Sequence, residues 1–529
     1  MKKINNTLSQ DYWKNFTLDE QDIELIYNFL LEKENPQKVR NLTYLIVDQK
    51  ITQERARLER MQTRAALYMP KETYAVGTQI TFSAFEMKSG KVIDVREGEN
   101  PEFSPFQVIK VEFEDGKIRE FAAGIENHPL NAPILFDADD PNLNINYVLQ
   151  QYGSIIDGRI QTQLREFDGF VSIAEEWFPE SLLIDINPGQ LNLAEAVLDI
   201  SGDMPVSTND IILQAGFQEK DHKLFAFSLN IALQQDARFD EVGPAGEVLW
   251  FLKSMEPDGV KQQPAYLVSQ LPTNGDEENT EDLMQLFEGV LADEYDPSTR
   301  SEDDNKELTF ALIYPHWRSG TLPLSNQLRD FFPTAIETEL VRFNFIDGLT
   351  KKTFPGWVVR SKKYVYGLKE WYEAMELIPG SIIYIRKGQN PGEVIIRGEK
   401  KRPSREWIRL AKVNENGKLA FSMDMQSVKS GYSDRMVIAL ENLSALESLW
   451  LKSVNERTFE QTVRHIMREL MRLNPQGHVH AQELYAATNL LLRCPPRAIL
   501  NLLNRSSWVS HQGDLYYRLN ESSAEGTTE

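Results

Sequence analysis

An α+β multidomain chain, made of helix–helix–helix–hairpin modules and small β-barrels, is predicted by three observations. At 529 residues the chain exceeds what one hydrophobic core can organise. Helical and strand-like periodicities fall into separate blocks rather than alternating as βαβ units. One order of elements, three helices and then two short strands, occurs twice, at 191–253 and at 458–519.

Taken in order, residues 1–70 read as helical, with Ile23, Ile26, Tyr27 and Leu30 at helical spacing before the charged run QERARLERMQTR. Residues 71–125 are β-rich runs punctuated by Gly, Asn and Pro, and Glu114-Asp115-Gly116-Lys117 is a hairpin signal, so a small β-barrel is predicted. Residues 126–180 are weakly patterned and read as a connector, in which DADDPN at 137–142 suits a capped turn better than a calcium loop.

The first repeat, inside a domain at 181–260, predicts a helix, a turn at Gly202–Pro205, and a short helix capped by Ser207 or Thr208. A third helix follows at about 222–235, then two strands around VGPAG. Next comes a linker at 274–308. Thirteen acids against Arg300 and Lys306 give residues 276–307 a net charge of −11, half of the total −22. Low hydrophobicity and like charge predict disorder there. Residues 309–440 read as a basic β-barrel domain, 445–519 as the second repeat and 520–529 as a tail.

Charge is segregated. Residues 1–275 carry −18, whereas 310–529 carry 30 basic and 23 acidic residues, net +7. Phosphate contact is therefore expected only from the back half.

The run Asp236, Arg238, Phe239, Val242, Gly243, Gly246 and Trp250 resembles the end of the HARE-HTH domain, the winged helix of the delta subunit of bacterial RNA polymerase. That resemblance covers about 60 residues and implies a winged-helix module. Its presumed recognition helix offers Lys223, Asn230, Gln234 and Gln235 among acids, which implies protein docking rather than phosphate binding. The second repeat lacks the D-x-R-F motif, reading Asn504-Arg505-Ser506-Ser507-Trp508, and is placed in the winged-helix class alone. Residues 341–411 are similar to DNA-binding barrels of the B3 and AbrB types, notably in LIPGSIIYIRKG.

No phosphate loop, dinucleotide motif, nucleophile elbow or HExxH zinc motif occurs, so no catalytic residue, cofactor or metal is expected. A single cysteine, Cys494, excludes an intramolecular disulfide and reads as a small buried residue at a helix start. His478 and His480 lack a third ligand and read as capping or solvent-facing. No stretch is apolar enough to span a bilayer, and a cytoplasmic, non-membrane protein is expected.

Binding candidates come from two places. On the helix at 495–505, Arg497, Asn501, Asn504 and Arg505 share one polar face, the residue types that suit base edges and phosphates. In 341–409, fifteen basic residues face seven acids. The candidates there are Arg360, Lys362, Lys363, Arg386, Lys387, Lys400, Lys401, Arg402 and Arg405, with Arg397 and Arg409 nearby. Trp357, Tyr364, Tyr366, Trp371, Tyr384 and Trp407 are interleaved as stacking candidates. The sequence predicts a bacterial DNA-binding or RNA-polymerase-associated regulatory protein, contacting DNA through 310–529 and the polymerase or another protein through 1–275. A scaffold or specificity component of a nuclease or defence complex is the alternative. If the acidic linker folds back on the basic face, it acts as an autoinhibitory polyanion.

Overall fold

The computed structural model describes residues 6–63, 66–82, 85, 88–100, 105–131, 140–218, 221–269, 271, 292–295, 307–335, 337–390, 392–456 and 458–520. It is an α+β multidomain chain, divided into two compact units: 1–184 with 221–227, and 185–220 with 228–529. Among the described residues no helix is long and apolar enough to cross a membrane.

In the first unit, α1 (Gln10–Lys14) and α2 (Glu20–Lys33) lead to β1 (Gln37–Lys38) and the long α3 (Val39–Thr63). Asp19 and Asp22 form a capping box that starts α2, and Lys50 of α3 bridges both carboxylates at 2.9 and 2.7 Å. A five-stranded sheet follows in the order β2 (Ala66–Leu67), β3 (Gln79–Phe82), β4 (Lys88–Glu97), β5 (Gln107–Phe113) and β6 (Ile118–Ala123). Where a small barrel is predicted there stands this curled sheet, with no pairing of β2 to β6 among the described residues. Its margins approach each other where Gly124 N donates to Glu72 O at 3.1 Å and Ile125 N to Pro70 O at 2.7 Å. Its own core gathers Tyr68, Ile80, Phe82, Ile109 and Phe113, and the Glu114–Lys117 turn closes the β5–β6 hairpin as expected.

The connector expected at 126–180 is a correction. It contains the 22-residue α4 (Ile145–Glu166), capped by Asn144, and the hairpin β7 (Phe170–Ile173) and β8 (Glu176–Pro179). Val148, Tyr152, Ile156, Ile160 and Leu164 are buried on one stripe of α4, which is why the helix forms. Strand β8 pairs with β1 and with β7, giving the sheet order β1-β8-β7. Asp140 caps the short turn after DADD through the Asn142 amide at 2.9 Å, and residues 132–139 lie outside the described set.

The second unit opens with α5 (Pro188–Ser201), β9 (Val206–Ser207), α6 (Thr208–Ala215), α7 (His222–Gln235, whose first turns belong to the first unit), β10 (Phe239–Glu241) and β11 (Leu249–Leu252). The sheet order is β10-β11-β9. Asn230, expected on an exposed face, is buried instead: its Oδ1 accepts from the Trp250 indole at 2.9 Å and from the Thr208 hydroxyl at 2.5 Å. Arg238 of the D-x-R-F motif is also structural, held by Asp236 at 2.7 Å and by Glu195 of α5.

After the short α8 (Asp258–Lys261), a seven-stranded half-barrel forms from β12 (Leu308–Ala311), α9 (Tyr314–Ser319), β13 (Thr321–Pro323), β14 (Leu340–Asp347), β15 (Thr353–Val359), β16 (Tyr364–Tyr366), α10 (Lys369–Ala374), β17 (Ile382–Lys387) and β18 (Glu393–Gly398). Its order is β12-β17-β18-β14-β15-β16-β13, with β14–β18 the parallel pair. A cluster of Val242, Phe251, Val260, Trp357, Val359 and Tyr364 joins it to the β10–β11 hairpin, so the acidic and basic stretches of sequence share one core.

The single basic barrel expected over 309–440 is two sheets. The second consists of the long hairpin β19 (Lys400–Val413) and β20 (Leu419–Ser430) with β21 (Ile438–Leu440). Helix α11 (Leu443–Glu456) leads to α12 (Phe459–Met471), β22 (Val479–His480), α13 (Ala481–Thr488), α14 (Pro496–Arg505), β23 (Val509–Gly513) and β24 (Tyr516–Leu519), with sheet order β22-β24-β23. Among the described residues, the succession of helix, strand, helix, helix and hairpin, with the first strand against the last, thus occurs three times, in the first instance with the five-stranded sheet inserted between α3 and α4.

Candidate nucleic-acid interface

The hairpin β19–β20 carries the densest exposed charge among the predicted residues. Between 400 and 430, eight basic residues face three acids, Glu406, Glu415 and Asp424. Lys400, Lys401, Arg402 and Arg405 are all exposed. Strand alternation places Arg405, Trp407 and Arg409 on one face, opposite Ser427, Met425 and Met423. Trp407 is 62% exposed and its neighbours Met423 and Met425 are 42% and 45% exposed, an apolar strip edged by cations. The Lys401 ammonium lies 4.8 Å from the Tyr432 ring centroid.

Beside this strip, the hairpin, the 432–437 loop and the α12–α13 region enclose a cleft of about 370 Å³. It is lined by the buried Ile408, Val437 and Leu470, by Trp407, Met423 and Tyr432, and by the acidic residues Asp434 and Glu483. Arg409 is committed to structure here. It pairs with Glu483 at 2.8 Å and donates to the Asp434 and Val437 carbonyls, locking the hairpin onto the C-terminal module.

The other predicted residues are scattered. Lys362 and Lys363 are exposed in the β15–β16 turn, where Lys363 adopts a φ of +57°, and Arg386 and Lys387 are exposed at the end of β17. Arg360 is a correction: half-buried, it donates to the Pro333 carbonyl at 2.6 Å and ties a loop to the barrel, and burial lowers its pKa. Trp357, Tyr364 and Trp371 are also corrected from stacking candidates to core residues. Tyr366 and Tyr384 are half-buried, and Arg397 lies over the Tyr384 ring at 3.9 Å while pairing with Glu307.

On α14, Pro496, Ile499, Leu500 and Leu503 are buried, leaving Arg497, Asn501, Asn504 and Arg505 on the polar side as the spacing predicts. Asn504 accepts from the Tyr517 hydroxyl at 3.1 Å, which links the helix to the hairpin behind it.

The acidic linker holds the residues that sequence reasoning missed. Ala292, Asp293 and Glu294 are buried. Asp293 pairs with Arg493 at 2.7 Å and accepts from the Tyr485 hydroxyl; Glu294 pairs with Arg493 at 2.9 Å and with His316 at 3.0 Å. Arg493 completes its donors with Asn489 Oδ1 and the Cys494 carbonyl. Burial pushes the Asp293 carboxyl up, whereas Arg493 and His316 overcome burial at Glu294 and hold it below the usual carboxylate range. A freely disordered linker is therefore corrected at this point: three residues of it are built into the core, against Arg493 rather than the basic hairpin. The rest of 272–306 lies outside the described residues.

His480 caps α13 by accepting from the Gln482 amide at 3.1 Å, and burial, with Arg435 nearby, holds its ring down at about 4. Burial pushes the Cys494 thiol well above its ordinary value and so favours the neutral thiol over the thiolate. Among the described residues no group of three His, Cys, Asp or Glu side chains is arranged to hold a metal. Comparison with family models, with curated proteins and with solved structures finds no match to this chain.

Proposed function

We propose that the chain is a non-catalytic nucleic-acid-binding regulator, of the bacterial DNA-binding or RNA-polymerase-associated kind, whose primary contact surface is the β19–β20 hairpin. The observation that carries this reading is the exposed Trp407 with exposed Arg405 two residues before it on the same face of β19, on a strand that begins with the exposed cations Lys400, Lys401 and Arg402. Cations there release counterions from phosphate, and the aromatic supplies a stacking face. We read the three helix–strand–helix–helix–hairpin units as winged helices, a reading supported by their shared strand order. In the last of them the polar face of α14 is the second candidate contact.

The test is the salt dependence of DNA affinity for the full chain against a Lys400→Glu/Lys401→Glu/Arg402→Glu variant. Each lost phosphate contact lowers the log–log slope by about 0.9, so a reduction of roughly two to three is expected. Equal affinity and slope for both proteins sinks the reading.

One observation favours the alternative, a protein-interaction scaffold or specificity component of a nuclease or defence complex. Leu193, Ile200, Met204 and Leu213 are exposed on and around α5 and α6, interspersed with Glu195, Asp199, Asp203 and Asp210. An acidic, apolar surface suits a protein partner, RNA polymerase among the candidates, and repels phosphate.

A further inference from the structure

We propose that the cleft beside Trp407 receives a single unpaired nucleobase carrying an exocyclic amino group, drawn from a nucleic acid whose backbone runs along Lys400–Arg405. The proposal rests on the nucleic-acid reading above and names what that surface selects.

The chemistry changes from outside to inside. On the strand that leads to the cleft, Lys400, Lys401, Arg402 and Arg405 are exposed, and the Lys401 ammonium makes the link to the rim, lying 4.8 Å from the ring centroid of Tyr432, whose hydroxyl donates to Glu406. The charged residues that line the cleft are Asp434, Glu483 and Arg409; Glu483 pairs with Arg409 at 2.8 Å and accepts from the His480 amide at 3.2 Å, and Asp434 leaves the lining with a net negative charge. A phosphate is therefore attracted to the rim and repelled from the interior. What can enter is the uncharged, flat part of a nucleotide. The apolar and aromatic lining, Trp407, Met423 and Tyr432 together with Ile408, Val437 and Leu470, offers it stacking and dispersion contact. Carboxylate oxygens accept from an exocyclic amino group, as carboxylates do from cytosine N4.

The volume fits. About 370 Å³ lies at the small end of the range for small-molecule sites, roughly 300–1,000 Å³, too small for a duplex end and ample for one base. The walls are also rigid. Arg409 joins β19 to the Asp434 and Val437 carbonyls and to Glu483 of α13, while Asn474 fixes the opposite turn through the His478 carbonyl at 2.9 Å and the Gln476 amide at 3.0 Å. A pre-shaped cleft spends little of its binding energy on ordering itself. A base held in a duplex stack cannot reach it, so the surface discriminates in favour of bulged, mismatched or single-stranded positions, where extrusion costs least.

The experiment uses the full chain and two short DNA duplexes that differ only by one bulged adenine, with binding read by fluorescence anisotropy. The native protein is expected to bind the bulged duplex roughly tenfold more tightly, a preference that Trp407→Ala abolishes and Trp407→Phe largely retains. Trp407 is mostly exposed, so both variants should melt with the native protein. A 2-aminopurine placed at the bulge should change its emission on binding the native chain and not on binding Trp407→Ala. If the native chain binds both duplexes equally and with a steep salt slope, the cleft proposal is overturned while the hairpin remains a backbone-binding surface. If it binds neither duplex at low salt, both readings fall.

Discussion

Replacing Arg493 by Met should loosen the C-terminal module by an amount that grows with pH. The guanidinium is fully buried and donates to Asp293, Glu294, Asn489 and the Cys494 carbonyl, with heavy-atom distances from 2.7 to 3.2 Å. Methionine fills much of the same space but leaves two buried carboxylates without a cation of fixed charge, Asp293 keeping the Tyr485 hydroxyl and the Tyr295 amide and Glu294 keeping His316. Breaking a buried ion pair in this way costs about 3–5 kcal/mol. At about 1.4 kcal/mol per decade, amide exchange over 481–494 should speed up by roughly two to three and a half decades. The pH dependence identifies the cause. In the native chain Glu294 is held below the usual carboxylate range, so its contribution is present above the unfolded-state value and lost as pH falls. In the variant, burial without the cation raises both carboxyls; they fold protonated at acid pH and lose stability as pH rises through their new values. The gap between variant and native should therefore be smallest in acid and widen towards neutrality. Adding Asp293→Leu and Glu294→Leu to the variant should recover most of the loss, because a well-packed apolar cluster carries no uncompensated charge. A change in exchange below one decade, or one independent of pH, would refute the reasoning.

Three further outcomes are expected. Glu241 and Glu256 are both pushed up by burial to about 7, with Asp240 adding to Glu256, so their contribution is complete below the unfolded value and fades as pH rises towards 7 and beyond; calorimetric melting should fall over that window, and Glu241→Gln should flatten the fall. Gly380 has a φ of +92°, and a Cβ there would lie 2.4 Å from the Val437 backbone, so Gly380→Ala should cost more than the ~1–2 kcal/mol of left-handed strain alone, seen as a lower urea midpoint. Asn230→Ala should cost about 1–3 kcal/mol by depriving the buried Trp250 indole and Thr208 hydroxyl of their shared acceptor, while Asn230→Asp, which keeps an acceptor oxygen, should lose less at acid pH than at neutral pH.

Local chemistry made much of the second and third repeated units legible. Ser207 caps α6, Pro496 opens α14, and the observed helices fall in the predicted stretches. The first unit was hidden because its strands β1 and β8 pair across about 140 residues, with a sheet intervening. Even so, the stripe from Val148 to Leu164 was readable as a helix. At the candidate interface, composition alone did not separate exposed aromatics from buried ones. Immediate neighbours did carry the distinction: Trp357 sits in FPGWVV, apolar on both sides, whereas Trp407 sits in SREWIR between charges. Asp293 and Glu294 were lost in an acidic run because nothing nearby in sequence announces Arg493, 199 or more residues away. Burial of a charge depends on a distant partner, which periodicity does not encode.

The curled sheet between α3 and α4 bears on how this chain was assembled. Its margins meet where Gly124 reaches Glu72, so the two ends of the sheet lie side by side, and it carries its own core. A segment of that kind behaves as a passenger. Loop-closure entropy grows only logarithmically, so lengthening the path between β1 and β8 by some eighty residues costs less than about 1 kcal/mol. The host helices and hairpin thus tolerate gain, loss or exchange of the passenger with little penalty, and versions of this chain that differ greatly in length between residues 64 and 144 remain compatible with the same three-stranded closure.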